Sequence, residues 1–114
     1  MTKRLEEAST ISDSDRELLL EVKSTIRRFL PEAKVLLYGS TARGERGRES
    51  DYDILVLTPK PLPPDVEQVV DDALYDLELE RGVVLAVTFW PESEWVRHTR
   101  MPFRKEVAQD GIVL

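Results

Sequence analysis

The sequence predicts an α/β or α+β fold, a small β-sheet with helices packed on it, and three observations point there. Apolar residues recur at helical spacing in two stretches, Leu18 to Leu30 and Val66 to Leu77. Three short apolar runs, Ala33 to Tyr38, Tyr52 to Leu57 and Val83 to Phe89, have the length of strands. The first two do not alternate with polar residues, so both of their faces are expected to be covered. The resulting order of helix, strand, strand, helix, strand, helix, helix favours helices layered on a sheet.

Each element has a local cause. Residues 1–12 precede the first periodic pattern and read as a flexible arm. Ser14 with Glu17 three residues on predicts a capping box. Leu18, Leu19, Val22, Ile26, Phe29 and Leu30 then form one apolar stripe, which Pro31 stops. The strand from Ala33 ends at Gly39, and the next begins at Tyr52. Thr58 to Pro64 is a stiff, proline-rich connector whose last proline suits the first turn of a helix. Val66, Val69, Val70, Ala73, Leu74 and Leu77 supply the inward stripe of that helix, and Arg81-Gly82 ends it. Pro91 introduces a short helix around Glu92 to Arg97, and Pro102 opens a last one that stops near Gly111. Repeats, low-complexity tracts and linkers are absent, so one domain over residues 1–114 is expected. Strand order and direction do not follow from these signals.

Composition narrows the chemistry. A chain of 114 residues with 41% hydrophobic content can bury one core, and its 33% charged residues leave it far from the disordered class. No apolar stretch approaches the roughly 20 residues of a membrane span, and Met1–Thr10 lacks an apolar signal core. A cytoplasmic protein is therefore expected. With no cysteine and a single histidine, His98, any bound metal is expected to be hard and oxygen-ligated. The net charge of -6 opposes sequence-independent binding to nucleic acid, though not to a nucleotide.

The most informative stretch is Tyr38 to Leu57. Gly39-Ser40 ends a strand and enters a helical turn at Thr41-Ala42-Arg43. Unpaired backbone N–H groups there favour an anion, glycine allows a phosphate close to the backbone, and the Ser40 hydroxyl adds a donor. Arg43 lies about one turn on, within reach of a second phosphate. Asp51 and Asp53, two apart on a strand, share a face, so their carboxylates can converge on one divalent cation. Magnesium held this way keeps positions open for phosphate oxygens. Tyr52 between them faces the other way and reads as structural. Gly-Ser also ends strands as an ordinary turn, and Asp-x-Asp also serves as a solvated strand entry, so the weight lies in their conjunction.

Gly39-Ser40, ten residues, then Asp51-x-Asp53 at the head of an apolar strand resembles the signature of the DNA polymerase beta-like nucleotidyltransferase superfamily in its minimal branch. The chain looks like an MntA-type antitoxin, the group paired with HEPN-domain toxins. That resemblance extends over the preceding helix, the proline-rich connector and the ending with Glu94-Trp95, Pro102-Phe103 and Gly111-Ile112. It implies a small mixed sheet flanked by helices, ATP and magnesium as ligands, Gly39 and Ser40 at the triphosphate, and Asp51 and Asp53 at the metal. The implied reaction moves AMP from ATP to a hydroxyl, taken here as one on a partner HEPN toxin. The acceptor half of the site would come from a partner or a second copy, because so short a chain has little room for it.

One departure bears on catalysis. Active relatives carry a third carboxylate on the later strand, and Val83 to Phe89 contains no acid. Ala86 is the expected equivalent, with Thr88 next. Alanine can neither bind a metal nor accept a proton. Asp76, Glu78, Glu80, Glu92 and Glu94 lie nearby in sequence but read as solvated charge. The alternative function is thus a silent relative that inhibits its partner by occupancy. Arg46 and Arg48 read as loop charge, His98 as a surface residue, and Trp90 and Trp95 as packing residues.

Overall fold

The computed structural model describes residues 2–44, 51–97 and 101–114, so Arg46, Arg48 and His98 lie outside the described residues. In chain order the elements are β1 (Lys3–Arg4), a 3₁₀ turn (Leu5–Glu7), α1 (Asp13–Phe29), β2 (Lys34–Tyr38), α2 (Gly39–Ala42) and β3 (Tyr52–Thr58). There follow α3 (Pro64–Arg81), β4 (Leu85–Pro91), α4 (Glu92–Arg97), α5 (Pro102–Asp110) and β5 (Ile112–Val113). The sheet is mixed, with strand order β1-β5-β2-β3-β4. β3 is antiparallel to β2 and parallel to β4, and α3 makes the crossover that a parallel pair requires.

Both faces of the sheet are covered, as the unbroken apolar runs predict. Val35, Leu37, Tyr52, Ile54 and Val56 point to one side, where Leu19, Val22 and Ile26 of α1 and Val70, Leu74 and Leu77 of α3 seal them from water. Leu36, Leu55 and Leu57 point to the other, against Trp95 of α4 and Val107 of α5. On that second side Phe103 stands edge-on to Tyr38 at 4.9 Å and to Trp95 at 5.6 Å. Such aromatic pairs contribute about 0.5–1.5 kcal/mol beyond area burial and fix α5 over the end of β2.

Several local expectations change. Ser12, not Ser14, caps α1, its hydroxyl accepting the Asp15 backbone N–H at 3.2 Å. The Asp15 carboxylate instead accepts the Tyr52 hydroxyl at 2.6 Å, across 37 positions of chain. Replacing Tyr52 by phenylalanine is expected to cost about 1–3 kcal/mol, read as a lower urea midpoint with unchanged slope, because a hydrogen bond to a charged group is lost.

Residues 1–12, expected as a flexible arm, are docked. Lys3 and Arg4 pair in parallel with Ile112 and Val113, and Leu5, Ala8 and Ile11 are buried in the core. Arg16 of α1 secures the segment by donating to the carbonyls of Leu5 and Ala8. β4 begins two residues later than expected because Val83 belongs to the stop of α3. Gly82 adopts φ +66, and the N–H groups of Gly82 and Val83 both bond the Glu78 carbonyl. Val69, expected on the inward stripe, is 48% exposed, since the buried face of α3 runs through Val70, Leu74 and Leu77.

Candidate functional site

β2 and β3 run antiparallel with Tyr38 opposite Asp53, so the turn after β2 and the acid pair opening β3 arrive at the same end of the sheet. Gly39 starts α2 at φ +78, a backbone state that suits glycine, and a methyl group built on it would overlap the Asp53 carboxylate. The Thr41 hydroxyl donates to the Asp51 carbonyl at 3.2 Å, tying α2 to the residue that precedes β3. Gly39, Asp51 and Asp53 are therefore one local structure. Ser40 lies half-buried beside them in the first turn of α2.

Electrostatics mark the place as short of positive charge. Burial raises the Asp53 carboxyl above the ordinary range, Asp51 and Glu106 push it further, and Arg43 offsets part of the rise. Burial likewise raises the Tyr38 phenol, opposed by a hydrogen bond with Thr88 and assisted by Asp53 and Glu106. A group of three or more metal-ligating side chains is absent among the described residues. The site offers a carboxylate pair, in which hard oxygens and mutual repulsion suit a divalent cation.

Asp53 has Ala86 of β4 as its lateral neighbour, and Thr88 sits two residues on along the same face. The position expected to hold a third acid is thus beside Asp53 and carries a methyl group. Of the acids considered as replacements, Glu78 senses Asp51. Its carboxyl is raised by burial, lowered by a bond to the Leu85 backbone, and raised again by Asp51. Glu92 is engaged elsewhere, with Lys34 at 2.7 Å, and Glu94 with Arg97 at 3.6 Å.

Two features were not apparent in the sequence. Glu106 of α5 is near enough to raise the Asp53 carboxyl, an acid whose 53-residue separation from Asp53 leaves no local pattern to read. Arg43, expected at a phosphate, directs its guanidinium to α5, 3.2 Å from Asp110 and 3.6 Å from Glu106. Tyr52 is buried on the opposite face from the acids, as expected, and Trp95 packs in the core. Trp90 stands edge-on to Trp95 at 6.2 Å.

The chain resembles known proteins over most of its length. The family described as the nucleotidyltransferase domain matches residues 19–114. A Methanocaldococcus jannaschii protein, provisionally named a protein adenylyltransferase, is 31% identical over 99 residues, spanning 87% of this chain and 92% of its own. A crystal structure of a toxin-antitoxin with AMP-PNP superposes with a TM-score of 0.55 at 20% identity, over 85% of this chain and 69% of the other. That likeness is one of fold. With the matched region spanning most of the chain and containing Gly39-Ser40, Asp51 and Asp53, the protein belongs to the nucleotidyltransferase domain family.

Proposed function

We propose that the protein transfers AMP from ATP to a hydroxyl of a partner protein, with magnesium held by Asp51 and Asp53. The observation that supports this reading is the closeness of Asp53 to the turn, its carboxylate filling the space that a side chain on Gly39 would need. Gly39 and Ser40 would hold the triphosphate through backbone N–H groups and the serine hydroxyl. When bound, magnesium supplies charge neutralisation for the phosphate oxygens. The acceptor oxygen forms a bond to the α-phosphorus, the bond to the β-phosphate oxygen breaks, pyrophosphate departs, and the hydroxyl proton passes to water.

Arg43 can assist without large cost. Its ion pairs with Asp110 and Glu106 involve groups 20–44% exposed, and such pairs contribute about 0–1 kcal/mol. A phosphate would offer a stronger charge-assisted partner. The adenylyltransferase name of the archaeal relative and the AMP-PNP in the toxin-antitoxin structure support ATP as donor and a protein as acceptor. A tyrosine of a HEPN-type toxin is the acceptor that fits the sequence resemblance best.

Incubation with α-phosphate-labelled ATP, magnesium and the product of the neighbouring gene tests the reading. Label should pass to the partner and stop with Asp53→Asn; transfer that survives this change rules out the assigned role. A second reading, inhibition by binding alone, is favoured by Ala86 beside Asp53. Equal neutralisation of the partner by wild type and by Asp51→Asn/Asp53→Asn would establish it. Ala86→Asp restores an acid at that position and is expected to raise magnesium-dependent transfer about tenfold or more. Single-turnover rates at saturating ATP would measure that gain.

A further inference from the structure

β4 is the edge of the sheet, and among the described residues no strand flanks its outer side. The Tyr52 N–H bonds the Val84 carbonyl, which sets the phase of the parallel pair. Even-numbered backbone groups of β4 therefore face β3, while those of Leu85, Val87 and Phe89 face outward. Glu78 already bonds the Leu85 backbone. Val87 and Phe89 remain as outward-facing ladder positions. Edge strands of proteins that stay alone are normally blunted by charges, prolines or bulges. Pro91 closes the last outward position of this strand, but from Leu85 to Trp90 it has neither a charge nor a proline.

Beside this edge runs a groove of about 340 Å³, between Leu85 and Val87 of β4 and a row on α3 that includes Asp71, Asp72, Tyr75 and Glu78. Its floor is apolar and its wall acidic. Among the described residues no cation pairs with Asp71, Asp72 or Glu78. Burial raises the Asp71 carboxyl, and Glu67 and Asp72 raise it further. Tyr75 lines the groove and is 57% exposed.

We propose that the outer edge of β4 and its acid-walled groove bind an extended, basic segment of a partner protein, which adds a strand to the sheet through Val87 and Phe89. Main-chain bonds would hold the segment, and alternate lysine or arginine side chains would lie along the acids of α3. A second copy of this chain suits the edge less, because its own acidic wall would be brought against this one. The edge also leads to the proposed catalytic site, since Ala86 of β4 flanks Asp53 and Glu78 senses Asp51. Side chains of a bound segment that face away from α3 would lie on the same face of the sheet as Ala86 and Asp53. This inference rests on the reading that the chain acts on a partner protein, and not on its chemistry.

The test uses a fluorescein-labelled peptide of alternating valine and lysine, about eight residues long, and its glutamate counterpart. The lysine peptide should bind at least about tenfold tighter than the glutamate one and shift the amide resonances of Val87 and Phe89. Val87→Pro removes an outward N–H while leaving the pairing with β3 intact, and should weaken binding about tenfold with unchanged circular dichroism. Should that variant unfold, Asp71→Asn/Asp72→Asn/Glu78→Gln carries the same test, expected to abolish the preference for lysine. Equal binding of both peptides, or dimers of the chain that Val87→Pro dissociates, would overturn the proposal. ATP binding with magnesium in the same samples separates the two readings. Wild-type protein that binds ATP but not the lysine peptide overturns the docking edge alone, whereas wild-type protein that binds the peptide but not ATP supports the edge and removes the nucleotide site.

Discussion

Asp53→Asn is expected to raise the melting temperature of the ligand-free protein and to lower nucleotide transfer by about a hundredfold or more, a loss of several kcal/mol of transition-state stabilisation. The two effects share a cause. Burial, Asp51 and Glu106 all disfavour the Asp53 carboxylate, so its folded pKa lies above its unfolded one. The unfolded state then releases this proton at lower pH than the folded state. Ionised Asp53 therefore subtracts stability at neutral pH, and the penalty disappears as pH falls below the unfolded value. Asparagine removes the charge and keeps the shape. Calorimetric scans at neutral pH, with and without magnesium and ATP, check both halves. Wild type should gain stability on addition of the ligands and the variant should not.

Gly39→Ala is expected to destabilise the protein by about 2–5 kcal/mol, combining the cost of a positive φ with overpacking against Asp53. The new methyl group has only two escapes. Either α2 moves away from β3, which breaks the Thr41 bond to the Asp51 carbonyl, or Asp53 turns from its place. Each outcome separates the phosphate turn from the acid pair, so ATP binding should fall with stability. Gly82→Ala offers a comparison at another positive φ, because nothing lies within 4 Å of the added methyl. That variant should cost about 1 kcal/mol and leave ATP binding unchanged.

Periodicity was sufficient for the long elements. Two helical stripes and three apolar runs placed α1, α3, β2, β3 and β4 within about two residues, because each buries a continuous face. Strand pairing was not legible. β1 and β5 have two residues each and owe their conformation to one another and to β2, with Lys3 and Arg4 contributing no apolar signal of their own. The arm docks through Leu5, Ala8 and Ile11, a spacing of three that a polar surrounding of Lys, Glu and Ser concealed. Ser12 rather than Ser14 caps α1, and Asp15 bonds Tyr52 across the fold, a tertiary contact that no local motif encodes.

The site divides the same way. Gly39, Asp51 and Asp53 stood out as candidates because phosphate and metal chemistry would demand those residue types at a short spacing, and the structure brings them to one end of the sheet. Ala86 was placed by alternation along an apolar strand, and the register with Asp53 agrees. Glu106 and the turn of Arg43 toward Asp110 depend on where α5 lies, which the aromatic contacts of Phe103 decide and no local sequence pattern reveals.

The union of the Gly39-Ser40 turn with the Asp51/Asp53 pair in one metal-dependent nucleotide site is tested most directly by calorimetric titration of ATP into the protein. The titration is run with magnesium, with EDTA, and with the Asp51→Asn/Asp53→Asn variant. Binding that weakens at least about tenfold both in EDTA and in the variant is the predicted result. ATP affinity unchanged by either treatment would contradict it.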